Sequence, residues 1–101
     1  MSLNMNLIKH GTTGELQLIG YIDASNAAEV EKIMVDVVSK FDTVLFDMEK
    51  LEYVSSAGLR AFKHAYMDMR AKHGVLEAKN VSKNVMEVLE VTGFTRLFKF
   101  I

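Results

Sequence analysis

The apolar positions of this chain change their spacing in an ordered way from one end to the other. Leu3, Met5 and Leu7 alternate with polar residues, the two-residue period of a strand with one buried face. Lys9-His10-Gly11-Thr12-Thr13-Gly14 supplies turn chemistry, and Leu16, Leu18 and Ile19 resume extended character, so residues 3–19 read as a hairpin. From Ser25 to Lys40 the spacing becomes helical. Ala27, Val30, Ile33, Met34, Val37 and Val38 share one stripe, with Glu29, Lys32, Asp36 and Lys40 opposite. Asp23 and Ser25 both suit its N-cap. Thr43-Val44-Leu45-Phe46 is an apolar run of buried-strand type that ends at Asp47. Residues 56–72 return to helix, with Leu59, Phe62, Tyr66 and Met69 along one face, and Val75 to Ala78 is a weaker strand. Ser82 caps a third helix through Val85, Met86, Val88 and Leu89, stopped by Gly93, and Leu97 to Ile101 closes as a last strand.

The order β-β-α-β-α-β-α-β predicts an α/β fold: a mainly parallel sheet of about four to five strands, an antiparallel N-terminal strand and three or more helices. Loops that follow parallel strands emerge at one carboxyl rim, where such sheets place their sites. Gly20-Tyr21-Ile22-Asp23 and the stretch from Asp47 to Ser56 are therefore expected to be neighbours in space.

Composition narrows the function. The 101 residues suit one domain, spanning 1–101, and the chain is half hydrophobic, enough for one core. Twelve Lys plus Arg against thirteen Asp plus Glu leave the chain near neutrality, which argues against a duplex nucleic-acid binder, since that needs a clustered basic face. With no cysteine, disulfides, thiolate metal sites and cysteine nucleophiles are excluded. Met1 to His10 lacks the basic segment and apolar stretch of a signal peptide, and no apolar run is long enough to insert in a membrane. The expected compartment is the cytoplasm, so the sequon Asn80-Val81-Ser82 reads as unglycosylated.

Most candidate chemistry falls to simpler readings. His64 and Asp68, four apart on one helix, are two ligands at most and read as a solvated pair. Asp23 and Asp47 could form an acid/base pair, but a rim aspartate more often caps a helix. His10 and His73 fall in turns, and Gly11-Thr12-Thr13-Gly14 joins two strands without the Lys and helix of a phosphate loop. The seven methionines suit core packing. No metal or cofactor site emerges.

One segment is unusual. Val54-Ser55-Ser56-Ala57-Gly58-Leu59-Arg60 joins the third strand to the second helix, and a glycine in the first turn costs roughly 1 kcal/mol relative to Ala. Small residues there would let another surface approach the backbone. A hydroxyl at a helix head could carry a phosphate that the free amides help to stabilise. Ser56 can equally be an ordinary capping serine, which local sequence favours because such caps are common.

Leu51 to Arg60 resembles the signature of STAS domains, the anti-sigma factor antagonist family. Gly20-Tyr21-Ile22-Asp23 resembles that family's Gly-x-Leu/Ile-Asp segment, Val44 to Met48 its third strand, and Asn80-Val81-Ser82 with Val88 to Phe94 its last helix and turn. The resemblance covers nearly the whole chain and implies the STAS fold, no enzymatic activity and a phosphorylation-controlled partner switch. In that scheme the unmodified protein binds an anti-sigma factor that is also a serine kinase of the GHKL type. Phosphorylation by that kinase releases it, and a PP2C-type serine phosphatase reverses the mark. The family's usual motif is Asp-Ser-Ser/Thr-Gly-Leu, with the serine after Asp as acceptor. Alignment on Gly58-Leu59 makes Ser56 the phosphoacceptor, puts Ser55 at the Asp position as a lesser candidate, and places Ala57 next. The resemblance assigns partner contacts to Asp23, Ser55, Ser56, Ala57, Gly58, Leu59 and Arg60.

If Asp23 and Asp47 share the rim, a phosphate adds roughly −1.5 to −2 charge beside existing negatives, and a partner docked there would have to bury it. Two further readings stay open at this point. One is a constitutive STAS subunit of a transport or signalling assembly, never phosphorylated. The other is a small nucleotide-binding module or enzyme using Asp23, Asp47 and Ser56.

Overall fold

Alternation does build a hairpin. In the computed structural model, which describes residues 3–101, β1 (Leu3–His10) and β2 (Thr13–Ile22) pair antiparallel from Leu3↔Gly20 to His10↔Thr13. The turn is tighter than the six-residue polar segment suggested. It is confined to Gly11-Thr12, with Gly11 at φ 62°, a conformation that a side chain would strain.

The rest of the chain alternates helix and strand: α1 (Ala27–Lys40), β3 (Thr43–Val54), α2 (Ser56–Ala71), β4 (Val75–Lys79), α3 (Lys83–Thr92), a single 3₁₀ turn (Phe94–Leu97) and β5 (Lys99–Phe100). The sheet is five-stranded in the order β1-β2-β3-β4-β5, and every pairing after the hairpin is parallel. Strands laid down in sequence order through crossovers of one hand keep the helices on one face. That face carries Leu16, Leu18, Ile22, Val44, Phe46, Met48, Leu76 and Ala78, which pack against Val30, Met34 and Val37 of α1, Leu59 and Phe62 of α2, and Val85 and Leu89 of α3. Phe46, Phe62 and Phe98 meet edge to face with centroids 5.2, 5.6 and 6.1 Å apart, so strand, helix and C-terminal tail lock together at one point. On the opposite face Glu15 lies between His10 (3.2 Å) and Lys79 (3.3 Å), which offset the cost of its burial. Among the described residues no helix is long and apolar enough to cross a membrane.

Three expectations are corrected. The third strand does not end at Asp47 but runs on to Val54. Its second half carries two register shifts against β2, so that Gln17↔Asp47 is followed by Ile19↔Lys50, and Gly20↔Leu51 by Tyr21↔Tyr53. Each shift inserts an extra residue in β3. The buried positions then fall at Met48, Leu51 and Val54, a period of three rather than two. The last strand shrinks to Lys99–Phe100, because Phe94 to Leu97 turns as a 3₁₀ segment after the left-handed Gly93. At α1, neither Asp23 nor Ser25 is the N-cap; Asn26 holds that position and its side chain does not bond the helix amides.

Candidate functional site

The end of β3 and the start of α2 are set by one hydrogen bond. Ser55 N–H donates to the Ile22 carbonyl at 2.8 Å, holding the ends of β2 and β3 side by side. Ser55 keeps an extended backbone (φ −82°, ψ 172°), the conformation of an N-cap. Its Oγ accepts from Gly58 N–H at 3.2 Å, and its carbonyl accepts from Leu59 N–H at 2.9 Å. The capping serine is therefore Ser55, not Ser56.

Ser56 is the first residue of α2 and is exposed. Its hydroxyl has no hydrogen-bond partner among the described residues. The cap that local sequence offered as a bland explanation for Ser56 is already filled by its neighbour. Position 55, where the resemblance leads one to expect Asp, thus holds a hydroxyl that caps α2 without a carboxylate's charge.

Gly58 explains the small residues. A Cβ there would lie 2.6 Å from Ile22 Cγ2 and 3.0 Å from Val54 Cγ1. The surface that approaches the backbone is the protein's own, the ends of β2 and β3. Gly58 and Leu59 are buried, whereas Ser55 and Ala57 are half-buried and Arg60 is exposed. Of the residues assigned to partner contacts in this segment, Gly58 and Leu59 therefore hold the helix on the sheet, and Ser55, Ser56, Ala57 and Arg60 are left to form the surface.

Asp23 follows Ile22 directly and so sits next to this helix head. Its Oδ1 accepts from Ser25 Oγ at 2.5 Å and from Ser25 N–H at 2.9 Å. These bonds from Ser25, side chain first and backbone second, hold the carboxyl below its ordinary pKa and keep it ionised. Asn26, which the sequence reading passed over, closes the loop: its Oδ1 accepts from Asp23 N–H (3.0 Å) and its Nδ2 donates to the Tyr21 carbonyl (2.9 Å). An Asn directly ahead of Ala27, the first residue of the apolar stripe, was the available signal.

Asp47 is elsewhere. It pairs with Gln17 and Lys79 in mid-sheet, and its carboxylate accepts from Asn80 Nδ2 (3.1 Å) and Glu49 N–H (3.2 Å). Seven residues of strand, about 20 Å, separate it from Val54. The shared rim of Asp23 and Asp47 is not formed, and with it go the acid/base pair and the two-carboxylate version of the electrostatic argument. His64 turns away from Asp68 to pair with Glu31 of α1. No group of three possible metal ligands occurs among the described residues.

Sequence and structure comparisons identify the family and the fold. The model of the STAS domain matches residues 4–101. A Bordetella bronchiseptica protein named as an anti-sigma factor antagonist, BtrV, is 32% identical over 99 residues, which cover 97% of this chain and 84% of that protein. Among solved structures, an anti-sigma factor antagonist from Mycobacterium paratuberculosis superposes with a TM-score of 0.86 at 19% identity, covering 98% of this chain and 85% of that one. SpoIIAA in its unphosphorylated form gives 0.82 at 16% identity over 99% and 88% of the two chains. The phosphorylated form of the Bacillus protein gives 0.75 at 15% identity over 99% and 91%.

Proposed function

The chain belongs to the STAS domain family, and from that premise we propose that it works as an anti-sigma factor antagonist switched by phosphorylation of Ser56. Its relatives in that family are regulatory rather than catalytic proteins. The observation that carries the proposal is the division of labour between two adjacent serines. Ser55 spends its hydroxyl on Gly58 N–H, while Ser56 stands exposed and unbonded one residue further on.

In the unmodified state, Ser56 and its surroundings (Asp23, Ser55, Ala57 and Arg60) form the docking surface for an anti-sigma factor that is also a GHKL-type serine kinase. The Ser56 Oγ attacks the γ-phosphorus of ATP in the kinase; the new P–O bond forms as the bond to ADP breaks, and the hydroxyl proton passes to a base of the kinase. A PP2C-type phosphatase reverses this with water, releasing inorganic phosphate. The antagonist thereby regulates transcription in the cytoplasm without touching nucleic acid itself.

Release follows from charge. The phosphate adds roughly −1.5 to −2 units beside the ionised Asp23, and a closely docked partner would have to desolvate both. Asp47 is too distant to share in this. Ser55 is the poorer acceptor because its side chain is half-buried and engaged with Gly58 N–H, whereas Ser56 is exposed.

Incubation with ATP and the cognate kinase, followed by intact-mass measurement and site mapping, tests the proposal. One phosphate on Ser56, absent in Ser56→Ala, is the expected result. No phosphate on either serine would leave the unmodified, constitutive role as the reading to pursue.

A further inference from the structure

Arg60 lies four residues after Ser56 on α2, one turn along and on the same face. It is exposed and has no carboxylate within ion-pair distance among the described residues. The first turn of α2 contains no acidic residue. Lys63 on the same helix is likewise without an ion-pair partner among the described residues, whereas Lys40 pairs with Asp36 and His64 with Glu31. What sets Arg60 apart is its place, a guanidinium one turn from a bare hydroxyl on the same helix face.

Direction matters here. Long helical side chains lean back toward the N-terminus and cover the turn that precedes them, so the ground Arg60 covers is that of Ser56. Lys63, seven residues after Ser56, falls on the same stripe but lies a further turn away. Three side chains of this stripe, Ser56, Arg60 and Lys63, are thus a hydroxyl followed by two cations.

We propose that Arg60 closes over the phosphate of phospho-Ser56, so that modification both adds charge and withdraws the arginine from the docking surface. This rests on Ser56 being the modified residue. A guanidinium presents a planar fork of donors that matches phosphate oxygens two at a time, which a lysine cannot reproduce. The free amides at the head of α2 supplement it from the other side. In the unmodified protein the same arginine is free to meet an acidic group of the partner. The switch therefore removes an attraction as well as adding a repulsion, and does so without any change of fold.

The test separates this inference from the one it rests on. Phosphoserine is installed at position 56 of the full chain during translation, with no kinase required, and its second ionisation is followed by phosphorus NMR against pH. In the otherwise wild-type chain the dianion should be favoured, with the midpoint about half a pH unit lower than in Arg60→Gln, the scale of an exposed charged pair. Lys63→Gln should move it by clearly less. Identical midpoints in wild type and Arg60→Gln, or an equal response to both substitutions, would overturn the clasp. Thermal melts of each variant guard against unfolding, which an exposed arginine is not expected to cause. Kinase treatment of the unmodified chain separately tests whether Ser56 receives phosphate at all, so a failure there is read independently of the NMR midpoint.

Discussion

The heads of α2 and α3 begin alike and end differently. Each starts with an extended serine whose Oγ accepts the amide three residues on, at 3.2 Å in both: Ser55 to Gly58 and Ser82 to Val85. At the next position α3 carries Lys83, while α2 carries Ser56. At the capped amide itself α3 has Val85, buried in the core, and α2 has Gly58, whose missing side chain admits Ile22 and Val54. The cap accounts for one serine at each head. What remains at α2 is a spare hydroxyl and a helix start pressed against the ends of two strands, and only the helix with those extra features matches the family's signature segment.

The largest expected break of this comparison is at Gly58. In an ordinary helix Gly→Ala gains about 1 kcal/mol of propensity. Here the new methyl would fall 2.6 Å from Ile22 Cγ2, part of a β-branched side chain that cannot swing aside. Overpacking of this kind costs about 1–3 kcal/mol, so Gly58→Ala should be destabilising overall and Gly58→Val more so. Urea denaturation measures it. A Gly58→Ala variant more stable than wild type would mean that the helix head can lift from the sheet.

Next in size are the two caps. Ser55→Ala and Ser82→Ala should each cost about 1 kcal/mol, alike within error, because the two geometries are alike. Ser56→Ala should stay within about 0.5 kcal/mol of wild type, as an exposed position without a cap bond should. Denaturation midpoints of the three variants decide the matter. A Ser56→Ala cost equal to that of Ser55→Ala would return the cap to Ser56 and remove the reason for treating it as spare.

Why this division escaped the sequence is a matter of where β3 ends. The hairpin, the α1 stripe and α3 with both its caps were legible, because each rests on a simple period closed by residues of strong local preference, such as Ser82 and Gly93. β3 was legible only as far as Phe46. Beyond it, two bulges convert alternation into the spacing Met48, Leu51, Val54, which no single-strand template matches. With the strand end read at Asp47, Ser56 reads as the capping serine and Asp47 as a rim residue; the strand instead runs to Val54 and the cap is Ser55. Gly58 signalled close approach, but the identity of the approaching surface depended on long-range pairing of Ile22 with Val54.

The smallest predicted effect separates a charged loop contact at the rim, made by Asp23, from the neutral cap of α2. Asp23 holds its loop with an ionised carboxylate, and its pKa lies below the ordinary 3.8 because Ser25 donates to it twice. A folded-state pKa below the unfolded one gives stability that is present above 3.8 and lost as pH falls through the lowered value. Asp23→Asn should therefore be less stable than wild type at neutral pH, by a small margin because the group is exposed, and the two should converge under acid. The penalty of Ser55→Ala should show no such convergence, since a hydroxyl cap does not titrate over that range. Urea midpoints of the three proteins across the acid range measure both trends. If the Ser55→Ala penalty also faded with acid, an unrecognised carboxylate would have to be helping to cap α2, and the head of that helix would not be neutral after all.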